Sequence, residues 1–512
     1  MQEQSHTTVN EMFAKYADNE YMLSRLHNYI CQQLPQSLDA IHKSKEQRQQ
    51  RIEELTTEQD AFIKSFLNNN QYFYNVSTEK FFFYDGKTYK LYSEDDILYH
   101  VLSSITNDKQ LMSWKQRTKV YIMKRIKENA LTRSVPESHT IQNVLSQFYP
   151  AIFSTKAEAK YFLTILGDNI FKKNVDLIHF IHTNAKHFIR ELNTMCQGFL
   201  GTNLFQTIKH KYHEHNYQHC RILNIHENVK NESTWKTMLN QHALDILCVA
   251  CHYSIRYQHS DHFVLNHCDD AGFVRDVFYL KNNEPETIIQ SFLTEYIGDY
   301  SRSQTSAQIT WKNMQYLLKH FLESKHLPTI MFQQTFKGFV MQKVGGFYKE
   351  ESDAFVGICS KFLPVIQKFT KFWDETIVID EGESEHDFEI SEIHTLFKLW
   401  CHQKGDANST LNQSQLLDLI VYFYPAVEIE SEKYVYKIRS SMWDKQMTIQ
   451  MTIATICEQI GATSISIYDA YLAYCRECNT MNTPLIASKS YFEKYVYENM
   501  TERVIDGNYL RV

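Results

Sequence analysis

Residues 393–438 and 467–512 align with each other without a gap, 74 positions apart. Ile393 falls on Ile467, Phe397 on Tyr471, Trp400 on Tyr474 and Cys401 on Cys475. Further along, Leu411 falls on Leu485, Ser414 on Ser488, Leu417 on Tyr491, Val421 on Tyr495 and Val435 on Tyr509. Apolar character matched first at helical spacing and then at strand alternation marks a repeated supersecondary unit. Each copy reads as a helix, a short polar loop, a second helix opened by a serine, and a β-hairpin. That is the order of a winged-helix module, whose second helix can lie in a DNA major groove. Tandem winged-helix-like repeats are therefore expected over 390–446 and 447–512.

Composition extends this reading to the rest of the chain. Only 14 Gly and 8 Pro occur in 512 residues, so few positions break a helix, and the fold class expected is mainly α with short β-hairpins in several domains. A hydrophobic content of 43% with 14% aromatics excludes a mostly disordered protein. The net charge of −7 is not that of a generally basic nucleic-acid binder, so such contact would have to rest on local patches. Eleven scattered cysteines and a start (Met1-Gln-Glu-Gln-Ser-His) without a signal-peptide pattern fit free thiols in a reducing compartment. The longest apolar stretches, such as Leu244 to Cys251, fall far short of the ~20 residues that span a bilayer. An intracellular protein without a membrane partner is expected.

Along the chain, residues 1–70 read as polar helices, with 43–55 too charged for a coiled coil. Residues 71–135 form a hairpin-plus-basic-helix domain. Asp85-Gly86 supplies a two-residue turn between the aromatic strands of Phe81 to Tyr92, and Ser93 caps a helix with Ile97 and Val101 inward. A central helical domain spans 136–376, its pattern helical from Ser138 to Leu192 and dense in His and Cys over 209–268. Within it, 309–344 reads as a helix–loop–helix opened by Thr310, with no hairpin signal after it. The acidic segment 377–389 reads as a linker and the last domain boundary.

Catalytic motifs are missing. There is no G-x-x-x-x-G-K-[ST], dinucleotide fingerprint, G-x-S-x-G or H-E-x-x-H, and Gly86-Lys87-Thr88 sits in a hairpin turn. Without a glycine-rich cradle, phosphates lack their ring of backbone donors, so a nucleotide-cleaving enzyme is disfavoured. In the His/Cys-dense segment, Cys248, Cys251, His215 and His219 could supply four ligands to zinc, against the alternative of buried thiols and surface histidines. Trp114 to Lys127 is the most basic stretch: Lys115, Arg117, Lys119, Lys124, Arg125 and Lys127 occur without an acid between them. As a helix with Val120 and Ile126 inward, it offers phosphate contacts, and Trp114 and Tyr121 could stack on bases. In the second repeat, Lys489 and Lys494 on the second helix and Arg503 and Arg511 around the Asp506-Gly507 turn are candidate phosphate contacts. The equivalent helix of the first repeat, from Asn412 to Asp418, has no cation and suits packing or a protein partner.

Tyr468-Asp-Ala-Tyr-Leu-Ala-Tyr-Cys-Arg followed by Leu485-Ile-Ala-Ser-Lys-Ser-Tyr-Phe-Glu-Lys resembles the C-terminal winged-helix region of poxvirus-type primase-helicases. The hairpin and helix at 80–103 are similar to the domain before the helicase core of that family. The aromatic, Asn- and Lys-rich style of the chain is similar to that of giant-virus proteins, the large nucleocytoplasmic DNA viruses. Where the family carries its phosphate-binding loop, this chain has Phe180-Ile-His-Thr-Asn-Ala-Lys-His187. The resemblance thus implies a helicase-like scaffold without the ATPase and with no catalytic residue. It implies a non-catalytic viral DNA-binding or scaffold protein in replication, transcription or genome packaging, with DNA and viral proteins as partners. The place implied is host cytoplasm or viral factory, or the virion. The alternatives are a virion assembly protein using the repeats for protein contacts, and a zinc-binding protein.

Overall fold

Scarcity of breakers gives long helices from the first residues onward. In the computed structural model, residues 1–107, 111–299, 308–379, 387–405, 411–459, 464–480 and 485–511 are described, and the chain divides into two units, Met1–Asn283 and Glu284–Val512. Mainly helical structure with small sheets, antiparallel but for one in the first unit, accounts for both. The division falls inside the central domain expected over 136–376. No helix among the described residues is long and apolar enough to cross a membrane.

In the first unit, helices α1 (Gln2–Lys15) and α2 (Glu20–Asn28) bury no residue. Helix α3 (Leu34–Asn69) buries only Gln59, Ile63 and Phe66. An antiparallel meander follows: β1 (Gln71–Asn75), β2 (Lys80–Tyr84) and β3 (Tyr89–Tyr92). The expected hairpin is present as β2–β3, but four residues close it rather than two, because Tyr84 pairs with Tyr89. Gly86 takes the left-handed conformation (φ +85°). The Asp85 carboxylate accepts the N–H groups of Lys87 and Thr88 (2.9 and 2.8 Å), which tightens the turn.

Strand alternation makes this sheet a partition between two cores. Tyr72 and Phe81 face one formed with α3, α4 (Glu94–Asn107) and α5 (Lys115–Glu128), where Ile97, Val101, Ile122 and Ile126 are buried. Phe73, Phe82 and Tyr84 face the larger core. That core is built on α6 (Ser138–Phe148), α7 (Lys156–Ile170), β4 (Ile178–Ile181), α8 (Lys186–Leu200), β5 (Ile208–Lys209), β6 (Cys220–Leu223) and α9 (Glu232–Arg256). Three short helices, α10 (Ser260–His267), α11 (Ala271–Val277) and α12 (Tyr279–Asn282), close the unit. Helices α7 and α9 cross closely at Gly167, where a Cβ would run into the Ala250 carbonyl. Strand β4 pairs in parallel with β5 and β6. The helical pattern expected from Ser138 to Leu192, broken only at Pro150, is therefore wrong at 178–181. A four-residue buried strand carries too little periodicity to be told from a helix segment.

The second unit repeats one element order. The first module comprises α13 (Pro285–Tyr296), β7 (Gly298–Asp299), β8 (Gln308–Thr310), α14 (Trp311–Ser324), α15 (Gln333–Val344), β9 (Tyr348–Lys349), β10 (Ala354–Val356) and β11 (Ile358–Cys359). The second has α16 (Leu363–Thr376), β12 (Ile377–Ile379), β13 (Asp387–Glu389), α17 (Ile390–Gln403), α18 (Gln413–Phe423), β14 (Glu428–Glu430), β15 (Tyr434–Tyr436) and β16 (Ile438–Ser440). The third has α19 (Lys445–Gln459), β17 (Ser464–Ser466), α20 (Ile467–Thr480), α21 (Lys489–Asn499), β18 (Val504–Ile505) and β19 (Tyr509–Arg511). In each, the strand before the helix pair joins the hairpin, in the orders β8-β10-β9, β13-β15-β14 and β17-β19-β18. The strand centres pair as Ile309–Phe355, Phe388–Val435 and Ile465–Leu510. A hairpin thus does follow the helix pair at 309–344, contrary to expectation.

Two further differences concern register and boundary. Equivalent positions of the second and third modules are 77 apart in the first helix of the pair, 76 in the second and 75 in the hairpin, not 74 throughout. Ile390, Ile393, Phe397 and Cys401 are buried as Ile467, Ala470, Tyr474 and Cys478 are. Leu416, Leu419 and Ile420 likewise match Phe492, Tyr495 and Val496. The ungapped alignment was three residues off in the first helix, close to the 3.6 of a full turn, so its apolar stripes still overlapped. Of the acidic linker 377–389, residues 380–386 lie outside the described residues. Its flanks β12 and β13 pair with β16 and β15, so the segment lies inside the second module, which begins with α16.

Candidate nucleic-acid interface

The basic stretch forms α5, and one buried polar pair fixes which way the helix faces. Thr118 is fully buried and its hydroxyl accepts a hydrogen bond from the Gln59 amide of α3 at 2.8 Å. Ile122, Met123 and Ile126 bury on the same side. This rotation places Val120 outward, 63% exposed, against the expectation that it points inward; Ile126 is buried as expected. The outer face consequently presents Arg117, Val120, Tyr121, Lys124 and Arg125.

The cations of this helix fall into two groups. Lys115 donates to the Thr106 hydroxyl (3.0 Å), Arg125 lies 3.6 Å from Glu128, and Lys127 lies 3.5 Å from Glu94. Among the described residues, Arg117, Lys119 and Lys124 have no ion pair. The Arg117 guanidinium stacks over the Trp114 ring at 4.5 Å and stands 5.9 Å from the Tyr121 ring. Two aromatic neighbours hold the cation at the surface without neutralising it.

The four cations expected to contact phosphate in the C-terminal repeat are disposed differently. On α21, Lys489 lies 3.5 Å from Glu493, and Lys494 lies 3.9 Å from Asp387 of the second module. Arg503 and Arg511 are exposed at the hairpin and, among the described residues, have no ion pair. Lys494 thus reaches across to the second module and Lys489 pairs within its own helix, while the arginines remain open to solvent.

The joint between these two modules centres on a buried ion pair. Lys445 at the start of α19 lies 2.5 Å from Glu392, with both side chains over nine-tenths buried. It also donates to the Asp387 carbonyl (2.7 Å), and its ammonium sits 4.2 Å from the ring centres of Phe388 and Tyr491. Burial pushes the Lys445 pKa down, opposed by Glu392 and by Asp387 and Glu389. Glu392 further accepts the N–H groups of Glu389 (2.8 Å) and Ser488 (2.9 Å). One carboxylate therefore caps its own helix, α17, and ties in the segment before α21. Neither residue stands out in the sequence, where Glu392 reads as an ordinary first-turn acid.

The proposed zinc ligands do not converge. Cys248 and Cys251 are buried in α9, with Ser134 and Tyr89 beside the first and Cys196 beside the second. Burial raises both thiol pKa values, which opposes the thiolate a metal requires. His215 packs against Phe180 and His213, and His219 is exposed. Among the described residues, no three His, Cys, Asp or Glu side chains are placed to hold a metal ion. No protein-family model, curated protein or solved structure matches the chain.

Proposed function

We propose that this protein is a non-catalytic nucleic-acid-binding scaffold, serving viral DNA in replication, transcription or packaging as the primase-helicase resemblance implies. The observation that carries the binding reading is the outer face of α5. Arg117 and Lys124 stand there without acidic partners, with the half-buried Lys119 at the edge of the buried side, in a chain whose net charge is −7. Cations left unneutralised on a rigid helix suit a polyanion, because counterion release drives such binding. The module topology adds support. A helix, a strand, a helix pair and a hairpin, with sheet order first–third–second, recur three times in tandem, an order that supports the winged-helix reading. The non-catalytic part of the reading draws on the junction between β4 and α8. There His182-Thr183-Asn184-Ala185 links strand to helix without a glycine, where a phosphate cradle would need several.

Charge reversal tests the assignment. Lys119→Glu with Lys124→Glu is expected to weaken DNA binding at least tenfold at low salt and to flatten its salt dependence. Unchanged affinity and slope would remove α5 from the interface. Arg503→Glu with Arg511→Glu asks the same of the third module. Reversing Lys494 is a poor probe, since it would set an acid against Asp387.

A second reading, an assembly protein of the virion, is favoured by α18. Its exposed face carries Gln413, Ser414, Gln415, Asp418 and Val421, with no cation. A stable complex with a viral protein, without DNA affinity, would favour it.

A further inference from the structure

We infer that the α5 face takes single-stranded nucleic acid, its bases stacking on the exposed Tyr121 ring and on the Arg117 guanidinium that overlies the half-buried Trp114. The inference rests on the nucleic-acid reading above and names the form of the ligand. Trp114, Arg117, Tyr121 and Lys124 are spaced by three, four and three residues, which places them on one stripe of the helix. Ring and cation alternate along it, and the two rings are about 10 Å apart along the axis. Tyr121 is 46% exposed, and Val120 and Met112 add apolar surface at 63% and 48%. The Gln59–Thr118 bond fixes the rotation that turns these groups out.

A duplex stacks its own bases and offers phosphates and groove edges, so it would leave these flat apolar groups wet and without partners. A single strand offers base faces as well as phosphates, and aromatic side chains or guanidinium planes on a cationic track are how such strands are held. Cations that serve phosphate alone would not need rings between them.

The test uses the full-length protein and three labelled 30-nucleotide probes: oligo-dT, an abasic strand of equal length, and a duplex. Oligo-dT is expected to bind at least fivefold more tightly than the abasic strand and the duplex. Tyr121→Ala should erase that preference and leave the salt slope unaltered, whereas Tyr121→Phe should retain it, since the ring and not the hydroxyl stacks. Lys119→Glu with Lys124→Glu should instead lower the slope, by about 0.7 per lost phosphate contact. Equal affinity for the three probes, with no effect of Tyr121→Ala, would overturn the single-strand inference while leaving nucleic-acid binding intact. Displacement of oligo-dT by polyglutamate at equal charge would overturn it as well. No binding to any probe at low salt would overturn both.

Discussion

His179 lies in β4 with its ring nitrogens 3.0 Å from the Thr207 hydroxyl and 3.5 Å from that of Ser260. Burial pulls its pKa from the usual 6.5 down to about 3. The unfolded chain takes up a proton near pH 6.5 that the folded chain refuses until about pH 3. Between those values the unfolded state binds more protons, so stability is lost as pH falls, by about 1.4 kcal/mol per unit. Urea unfolding across this window should show that slope, and His179→Gln should reduce it. Gln59 and Thr118 form a second buried pair whose effect is testable. Thr118→Val leaves the Gln59 amide without its partner and should cost about 1–3 kcal/mol, whereas adding Gln59→Leu should recover most of the loss. A double variant as unstable as the single one would mean that the bond does not set the α5 rotation.

Elements were legible in the sequence where local chemistry fixes them. Asp85-Gly86 announced the hairpin at 81–92, and Ser93 and Thr310 announced helix starts; both cap as expected, Ser93 accepting from the Asp96 N–H and Thr310 from that of Asn313. The cationic residues of α5 were legible, but its facing was not. Apolar periodicity draws Val120 inward, and the bond to Gln59, distant in sequence, turns Thr118 in instead. The hairpin of the first module was missed because its strands have two and three residues, and its turn uses Asp353 in the left-handed region rather than glycine. At this scale the Glu392–Lys445 pair should matter most among the module contacts described. Glu392→Ala leaves a buried ammonium uncompensated and two N–H groups without acceptors. It should destabilise the second unit by about 3–5 kcal/mol, read as a lowered denaturation midpoint. The exposed N-terminal helices are the converse case. Removing residues 1–54, none of them buried, should shift the melting temperature by less than ~2 °C.

At the scale of the molecule, an overall acidic chain keeps unpaired cations in a few places. Of the ten cations singled out in the sequence, five are spent on contacts within the protein: Lys115, Arg125, Lys127, Lys489 and Lys494 each face an internal partner. The contacts of Lys115 and Lys494 could not be read from the chain, because Thr106 and Asp387 come near only through folding, whereas those of Arg125 and Lys489 follow helical spacing. Arg117, Lys119 and Lys124, with Arg503 and Arg511, remain for an outside polyanion. The measurement that reaches the central claim most directly is equilibrium binding of the full-length protein to a labelled single strand over a salt series. Affinity should fall linearly in log–log form, with a slope of about −2 or steeper if the three free α5 cations each meet a phosphate. Absence of binding at low salt, or an affinity indifferent to salt, would contradict the account and leave the tandem modules as sites for protein partners.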